Sequence, residues 1–485
     1  MTDPSAPSTA RRGWGLALIA AAQFMVIMDT SIIGVALPEI QTDLGFSPED
    51  LSWVFNAYVV AFGGLLLLGG RLSDLFGAKR MFSLGWAILA VGSLAAGLAD
   101  STGLEIAARA AQGAGAALIA PSALTLLMML FGSEPKELMK ALAIYGAAAP
   151  AGGTAGVFLG GVITEWISWP WVFYINVPIA MVVLALTAGV MPTVPARRGS
   201  IDILGALTAT AGLALTVFGI VRAPAEGWGA WDTLLAVGGG LGLLAAFVIV
   251  QSRRREPLMR LSILRTPNLA VANLAQLLLG AAWIPMWFFL NLYLQQVLGF
   301  GAFEGGAALL PMTAAIMLLM VVVAPKVVAR LGAKTPIVAG LLLLAAGMAV
   351  MSLVRADGNF VVDVLPASLI AAAGMSLAFI PSLGTAISSA KPEEGGLASG
   401  IVNTSYQVGS ALGLAVMTAV ATSRGADQLG NAAALTEAYS AAFIGAAGIA
   451  VAGALLAAAL LRMPKAPAAT AGETDRAEDR ELTAA

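Results

Sequence analysis

The sequence contains 485 residues, of which 59% are hydrophobic and only 11% are charged, whereas a soluble domain is about 25% charged. This composition excludes an ordinary soluble enzyme and predicts a helical protein that crosses a membrane many times. The chain has no cysteine or histidine, which excludes disulfides, thiol chemistry and histidine-based zinc sites or proton relays. The net charge of -2 conceals a segregation of basic residues and is therefore uninformative about nucleic acid, which is not expected as a partner.

Fourteen apolar segments reach or approach the roughly 20 residues that a helix needs to cross a bilayer. The first segment has too long an apolar core to be a cleaved signal peptide. Because the number of spans is even, both termini are expected on the same side of the membrane. The predicted spans, in chain order, are 14–37, 51–70, 81–99, 104–130, 138–163, 172–191, 202–222, 233–251, 268–296, 304–329, 335–355, 363–388, 398–421 and 438–461.

Basic residues concentrate in alternate loops, and this predicts the orientation because cytoplasmic loops are enriched in lysine and arginine. We expect the protein in a bacterial plasma (inner) membrane, with both termini in the cytoplasm. Residues 1–13 and 462–485 are then cytoplasmic tails, and the second tail is expected to be disordered. The basic residues on the side of the termini are Arg11, Arg12, Arg71, Lys79, Arg80, Lys136, Lys140, Arg197, Arg198, Arg253, Arg254, Arg255, Arg260, Arg265, Lys326, Arg330, Lys334, Lys391, Arg462, Lys465, Arg476 and Arg480. The opposite loops contain only Arg222, Arg355 and Arg424.

A faint internal repeat indicates two related halves. LFGAK at 75–79 recurs as RLGAK at 330–334, which pairs spans two and three with spans ten and eleven. Spans seven and eight are then an inserted hairpin. We therefore predict an all-α membrane protein with two pseudo-symmetric six-helix bundles, a type of repeat found in transporters. The expected domains are an N-terminal bundle at 14–191, a linker hairpin at 202–251 and a C-terminal bundle at 268–461.

The fourth span contains a charged residue, Arg109, with Gln112 on the same face of the helix. A guanidinium stays charged, and at the bilayer centre it costs from roughly 2.5 to more than 10 kcal/mol. It should therefore find a buried acidic partner. Asp29 in the first span is the only carboxylate that the sequence places deep in another span, at a compatible depth. The pair is a functional-site hypothesis; an ion pair that only fixes helix packing is the alternative.

Burial favours the protonated form of Asp29 and the arginine favours its ionised form, so these opposing effects make it a candidate proton carrier. The other acidic residues are expected at or near the ends of spans, among them Asp202, Asp363, Glu165 and Glu304. Few coupled protons are therefore expected, although Glu165 or Glu304 would add one if water reaches it.

The loop between spans two and three reads GRLSDLFGAKR and is a candidate gating loop. Its candidate residues are Gly70, Asp74, Gly77, Lys79 and Arg80. Glycine permits a tight backbone turn, and the carboxylate can cap a helix or pair with basic groups. A solvated loop that only obeys the positive-inside rule would explain the two basic residues but not the whole spacing.

The fifth span contains a doubled small-xxx-small pattern, which lets a neighbouring helix approach closely. Its candidate residues are Gly152, Gly156, Gly160 and Gly161, and Pro150 is expected to kink the helix. Glycine repeats indicate packing more often than function.

Aromatic and amide side chains in two further spans predict a substrate cavity. They are Trp283, Trp287, Asn291, Tyr293 and Gln295 in the ninth span and Asn403, Tyr406 and Gln407 in the thirteenth. An aromatic cavity with a few polar groups suits amphipathic ligands, and cation–π contacts suit cationic ones. The alternative for the tryptophans and Tyr293 is interfacial anchoring or core packing.

Taken together, these motifs resemble the major facilitator superfamily, in its fourteen-helix drug:H+ antiporter branch. GRLSDLFGAKR resembles the loop signature of that superfamily, RAAQGAGAA its fourth-helix motif and DTSIIGVALP the first-helix motif of the branch. GVFLGG at 156–161 resembles the antiporter motif, although Val157 stands where the family has proline. Further similar stretches are WVFYINVPI at 171–179, EPLMRL at 256–261 and GLASGIVNTSYQVGSALGLAV at 396–416.

The resemblance covers residues 14 to 420 and implies export of small amphipathic drugs or antibiotics in exchange for protons, by alternating access. It implies proton coupling at Asp29, Arg109 and Gln112, no cofactor other than the proton, no enzymatic activity and a functional monomer in the lipid bilayer. A proton-coupled symporter that imports a nutrient or metabolite remains the alternative. A sensor or scaffold would need a soluble domain that the chain lacks, and no P-loop is present for direct use of ATP.

Overall fold

The computed structural model describes residues 9–132, 134–192, 202–254, 257–258, 260–390 and 395–462. Most of the two predicted tails, at 1–13 and 462–485, therefore lies outside the described residues. Seven of the basic residues used for the orientation also lie outside them: Arg197, Arg198, Arg255, Lys391, Lys465, Arg476 and Arg480.

The first six long helices follow the predicted spans, because a backbone without water must satisfy its hydrogen bonds within each segment. They are α1 (Thr9–Leu44), α2 (Trp53–Phe76), α3 (Ala78–Gly97), α4 (Thr102–Phe131), α5 (Pro135–Trp166) and α6 (Trp171–Val190). The first helix is longer than predicted, since it continues from residue 37 to Leu44.

Eight more long helices complete the chain. They are α7 (Ile203–Glu226), α8 (Trp231–Arg253), α9 (Pro267–Leu292, continued by a π-helical turn at Tyr293–Val297), α10 (Ala302–Leu331), α11 (Lys334–Met351), α12 (Phe360–Ser389), α13 (Gly395–Thr422) and α14 (Ala432–Leu460). No strand occurs in the described part of the chain.

Thirteen of these helices are long and apolar enough to cross a membrane. The remaining one, α13, has 28 residues and is more polar because it carries Asn403, Tyr406 and Gln407. The predicted all-α, polytopic fold is confirmed. We call the side on which α1 begins and α14 ends the proximal side, and the opposite side the distal side.

The helices pack as two groups of six, α1–α6 and α9–α14, and the hairpin of α7 and α8 lies at the contact between the groups. In the first group α1 packs on α5, and α4 packs on α2 and α3; in the second α9 packs on α13 and α14, and α11 packs on α12 and α14. The groups meet where α5 contacts α10 and where α2 contacts α13. Helix α7 packs on its hairpin partner α8 and on both α2 and α13. The division into domains at 14–191, 202–251 and 268–461 stays a prediction.

The proximal end of the hairpin is fixed by a buried carboxylate, Asp202. It caps α7 by accepting a hydrogen bond from the Gly205 N–H at 2.9 Å, as expected for aspartate at this position. It also accepts one from Gln251 Nε2 at 2.6 Å and pairs with Arg254 Nε at 3.1 Å. The two ends of the hairpin are thereby tied together by one side chain.

The two copies of the internal repeat occupy equivalent turns. Gly77 separates α2 from α3 and has φ of 93°, and Gly332 follows α10 with φ of 71°. Side chains other than glycine rarely adopt this left-handed region. The shared glycine therefore reflects a shared turn geometry in the two halves.

Candidate functional site

Asp29 and Arg109 form a buried ion pair, and their predicted pairing is confirmed. Arg109 Nη1 donates to Asp29 Oδ2 at 2.8 Å, and the side chains are 0% and 1% exposed respectively. The guanidinium also donates from Nε to the Val54 carbonyl of α2 at 2.9 Å. Its plane lies over the Tyr58 ring, with 4.7 Å between Cζ and the ring centroid. Two neighbouring helices, α1 and α2, thus hold the arginine of α4.

Gln112 joins this pair, as its position on the face of Arg109 predicts. Its Oε1 accepts from Arg109 Nη1 at 2.7 Å, and its Nε2 donates to Asp29 Oδ1 at 3.3 Å and to Ser93 Oγ at 2.7 Å. The amide therefore contacts both members of the ion pair and anchors them to α3.

Two members of the network were not identified from the sequence. Asn176 of α6 donates from Nδ2 to Asp29 Oδ1 at 2.6 Å and to Ser93 Oγ at 3.1 Å, and both are completely buried. The signal for Asn176 was its place in WVFYINVPI, since that stretch resembles the transporter branch. Ser93 had no such signal, because a serine in a span is commonplace. We define the coupling network as Asp29, Ser93, Arg109, Gln112 and Asn176.

The sequence did not predict that a second carboxylate near the ion pair, at the end of the fourth span, is buried. Glu105 of α4 is 0% exposed, and neither of its carboxylate oxygens has a hydrogen-bond partner among the described residues. It lies one helical turn before Arg109, on the same face. The sequence placed it at the very start of the fourth span, but the surrounding helices cover the end of α4 and bury it.

The glycines of α5 form a close contact with α1. A methyl group on Gly156 would lie 2.8 Å from the Met28 carbonyl oxygen, and one on Gly160 would lie 2.7 Å from that of Ile32. Gly152 faces the Phe24 carbonyl in the same way, at even closer range. The three glycines therefore let α5 lie directly on the helix that carries Asp29.

Gly161 has a different neighbour from the other glycines of the run. It faces α10 of the second helix group, where an added methyl group would lie 2.9 Å from the Ala302 carbonyl oxygen. Gly306 of α10 faces the Val157 carbonyl of α5 at 2.6 Å in the same sense. This part of the glycine run lies at the contact between the two groups.

The candidate gating loop lies at the proximal side, but only Gly77 is outside a helix, because α2 continues to Phe76 and α3 begins at Ala78. Lys79 Nζ donates to the Ala188 carbonyl near the end of α6 at 2.7 Å, a favourable place for a cation. Arg80 is exposed, and so is Asp74, which has no hydrogen-bond or ion-pair partner among the described residues. A methyl group added to Gly70 would lie 3.7 Å from Pro121 Cβ of α4, so the two helices are close at this point. The loop therefore touches α4 and α6, while its carboxylate stays accessible.

The predicted cavity residues do not form one group. Trp287 is buried, and its ring lies against Gly34 of α1 and edge-on to Phe55, with 5.6 Å between the ring centroids. Trp283 is buried in the same core. The Tyr293 hydroxyl lies apart, because it donates to the Arg355 carbonyl in the loop between α11 and α12. In this conformation the aromatic residues of α9 pack rather than line an open cavity.

The amides and Tyr406 are also distributed over different contacts. Gln295 Nε2 donates to the Val35 carbonyl of α1 at 3.0 Å, whereas the amides of Asn291 and Asn403 donate to the carbonyl one turn earlier in their own helices. Tyr406 lies edge-on to Phe379. Gln407 packs on Gly63 at the contact of α13 with α2.

The distal ends of the two helix groups are in contact. Gln296 Nε2 donates to Gln41 Oε1 at 2.9 Å, and the Tyr439 hydroxyl donates to Gln296 Oε1 at 2.5 Å. The Phe303 N–H approaches Glu165 Oε2 at 3.5 Å, and its ring stacks on Trp166 with 5.1 Å between centroids. We call the contacts of Gln41, Gln296, Glu165 and Phe303 the distal closure.

The network is a site for a charge and its counter-charge rather than for a metal ion or an organic cofactor. It contains one carboxylate, one guanidinium and neutral amide and hydroxyl groups. In the described ranges, no group of three or more acidic side chains is placed to hold a metal ion. The arrangement places one ionisable carboxylate, Asp29, against a cation that keeps its charge.

Comparison with known proteins identifies relatives over nearly the whole chain. The model of the Major Facilitator Superfamily matches residues 19–414. The cephamycin export protein of Amycolatopsis lactamdurans is 41% identical and covers 89% of this chain and 89% of its own length. The puromycin resistance protein of Streptomyces alboniger is 36% identical, over 85% of this chain and 82% of its own.

A solved structure supports the fold. The POT family transporter PepTSo superposes with a TM-score of 0.68 over 94% of this chain and 98% of its own, at 17% sequence identity. At that identity the likeness concerns the fold alone.

Proposed function

The chain belongs to the major facilitator superfamily, and from that premise we propose that it exports small amphipathic drugs or antibiotics in exchange for protons. Members of this superfamily are transporters, so the chain is a multi-pass membrane transporter and not an enzyme. The names of the cephamycin and puromycin relatives support antibiotic cargo. The observation that carries the proton-coupled part is the buried pair of Asp29 and Arg109.

Asp29 is the proposed proton carrier. In its ionised form it balances Arg109 and accepts hydrogen bonds from Gln112 and Asn176. Protonation removes the negative charge and leaves Arg109 with only neutral partners, which is costly in a buried site. The network therefore has two states that differ by one proton. Substrate that enters beside this network favours one of them, and this differential binding couples proton to cargo.

Alternating access is proposed to proceed at the glycine-lined contacts. Gly152, Gly156 and Gly160 let α5 slide on α1, and Gly161 lies where α5 meets α10. Opening of the distal closure would release cargo, since Gln296 and Phe303 would separate from their partners across the groups. The gating loop, with Gly70, Asp74, Gly77, Lys79 and Arg80, would act on the proximal side.

The substrate cavity is proposed to form between α9 and α13 once the groups separate. Trp283, Trp287 and Gln295 would then be uncovered on one side, with Asn291 behind them. Asn403, Tyr406 and Gln407 would line the other side. Aromatic faces and amides of this kind suit amphipathic and cationic cargo. The Tyr293 hydroxyl donates to the Arg355 carbonyl in the loop between α11 and α12. Tyr293 would therefore hold this loop in position and would not contact the cargo.

The orientation in the membrane follows from the basic residues. Lys79, Lys140, Lys326 and Lys334 all lie on the proximal side, so we propose that this side is cytoplasmic and the distal side external. The proposed location is the bacterial plasma membrane. The protein is proposed to work as a monomer, with the proton as its only coupling ion.

Efflux of ethidium, a fluorescent lipophilic cation, from preloaded cells tests this function. We expect wild type to extrude the dye and a protonophore to stop the extrusion. Asp29→Asn should retain dye, whereas Asp232→Asn, at an exposed carboxylate of α8, should behave as wild type. Growth in cephamycin and in puromycin tests the antibiotic cargo. Dye extrusion at the wild-type rate by Asp29→Asn would show that Asp29 is not the proton carrier.

A further inference from the structure

We propose that Glu105 is a second proton-carrying residue, which takes over from Asp29 as the counter-ion of Arg109 when Asp29 is protonated. The proposal rests on the proposed function, because it concerns the path of the coupled proton. It concerns a residue outside the coupling network, one turn from Arg109 on α4.

Two sets of unsatisfied atoms carry the proposal. Neither oxygen of the buried Glu105 carboxyl group has a partner among the described residues, and the same holds for Arg109 Nη2. The other two nitrogens of the guanidinium are engaged, by the Val54 carbonyl and by Asp29 with Gln112. Residues four apart on a helix face each other, with about 5–6 Å between their Cβ atoms. Arg109 Nη2 is thus a donor without a partner, and the Glu105 carboxyl group, one turn away on the same helix, is an acceptor without a partner.

The proton content of Glu105 follows from its surroundings. An ionised carboxylate that is buried without a hydrogen-bond donor is strongly disfavoured, whereas its neutral form is tolerated. Asp29 already balances the charge of Arg109 in this arrangement. Glu105 therefore carries a proton here, and the ionised partner is Asp29.

The described groups packed around this part of α4 include only one acidic partner with which Glu105 can exchange a proton, Asp29. The charged groups that act on Glu105 are Arg109 of its own helix and Asp29 of α1. Helix α2 contributes the ring of Tyr58 over the guanidinium, while α3 and α6 contribute the neutral Ser93 and Asn176. No residue of α5 takes part in the described hydrogen bonds of this network.

The exchange conserves both charge and protons. The O–H bond of the Glu105 carboxyl breaks, an O–H bond forms on the Asp29 carboxylate, and the electron pair of the broken bond stays on Glu105. Arg109 then pairs with Glu105 through Nη2. One positive and one negative charge remain buried before and after, so neither state leaves an unpaired charge.

The position of Glu105 gives the exchange a direction. Glu105 is three residues from the distal start of α4, about 4.5 Å along the axis, whereas Arg109 is about 10 Å from it. The carboxyl group thus lies between the distal surface and the ion pair. A proton that arrives from the distal side meets Glu105 first and reaches Asp29 through the exchange.

Infrared spectroscopy of the full-length protein in lipid tests the exchange without any substrate. The C=O stretch of a protonated carboxyl group is separate from carboxylate bands and shifts in heavy water. We expect wild type at neutral pH to show one such band that Glu105→Gln removes. The control Glu226→Gln alters an exposed residue paired with Arg222 on α7 and should retain the band.

The decisive variant is Asp29→Asn. With its usual partner neutral, Arg109 should draw the proton off Glu105, so the band should disappear although Glu105 is intact. A band that survives in Asp29→Asn, or one that Glu105→Gln leaves in place, overturns the proposal. If Glu105→Gln does not yield folded protein, Glu105→Asp should shift the band, and an unshifted band is equally contradictory.

A transport measurement separates this proposal from the proposed function. In vesicles with an imposed pH gradient, Glu105→Gln should lose most gradient-driven ethidium movement while exchange of ethidium across equal pH continues. If the infrared results hold but wild type moves no ethidium, the cargo or the coupling is wrong and the carboxyl exchange stands. If gradient-driven movement is normal in Glu105→Gln, Glu105 carries no coupled proton.

Discussion

Asn176 Nδ2 donates to Asp29 Oδ1 at 2.6 Å. This is the shortest of the hydrogen bonds that the Asp29 carboxylate accepts from the described residues. It ties α6 to α1 at the centre of the ion pair. Since Asn176 is completely buried, its amide does not contact solvent. Its contact orients the carboxylate whose protonation is proposed to drive transport.

Replacement of Asn176 by alanine should weaken both folding and coupling. The Asp29 Oδ1 atom would retain only the longer bond from Gln112, and loss of a buried partner costs about 1–3 kcal/mol. We expect a lower midpoint of thermal unfolding in detergent and slower ethidium efflux from cells. Thr187→Ser, a conservative change at a buried position of the same helix, is the control. Unchanged efflux in a folded Asn176→Ala protein would argue against an orienting role.

Removal of one partner of the ion pair should be worse than removal of both. Arg109→Gln strands a buried carboxylate, and breaking a buried pair costs about 3–5 kcal/mol. The double variant Asp29→Asn/Arg109→Gln leaves only neutral amides, so we expect its unfolding midpoint to lie above that of Arg109→Gln. Chemical or thermal unfolding of the purified variants measures this order. Equal destabilisation by the single and double changes would mean that the pair is not electrostatically coupled.

Arg109→Lys should not restore transport. Lysine keeps the charge, but its one nitrogen cannot replace both Nε, which donates to the Val54 carbonyl, and Nη1, which donates to Asp29 and Gln112. We expect a folded protein with little gradient-driven ethidium efflux. Efflux at the wild-type rate would show that charge alone is sufficient at this position.

The glycine contact between α5 and α1 should tolerate no larger side chain. Gly156→Val inserts three carbon atoms against the Met28 carbonyl and Ser31, and overpacking of this kind costs about 1–3 kcal/mol. We expect a lower unfolding midpoint and loss of efflux. Gly146→Val, on the same helix with open space around it, is the matched control and should retain both. Normal behaviour of Gly156→Val would exclude a close helix contact.

Much of this arrangement follows from the sequence, because charges in apolar helices have few ways to be satisfied. That reasoning located Asp29, Arg109 and Gln112, and glycine spacing located the face of α5 that meets α1. It missed Ser93 and Asn176, since neutral polar residues occur in many spans without a shared role. It did not predict the burial of Glu105, because burial at a helix end depends on the neighbouring helices.

The aromatic residues of α9 show a second limit. Their composition is equally typical of a ligand cavity and of a packed core. Only the approach of Gly34 to Trp287, a contact between distant parts of the chain, decides that they pack in this conformation. The roles of Asn403, Tyr406 and Gln407 in binding stay predictions.

The direction of proton movement tests the central claim most directly. Purified protein in vesicles is given an outward ethidium gradient, with the membrane potential clamped by potassium and valinomycin, and a trapped dye reports the internal pH. Antiport predicts that the lumen acidifies as ethidium leaves, in wild type and not in Asp29→Asn or in protein-free vesicles. A lumen that becomes alkaline as ethidium leaves would show symport, and an unchanged pH during protein-dependent ethidium exit would show that no proton is coupled.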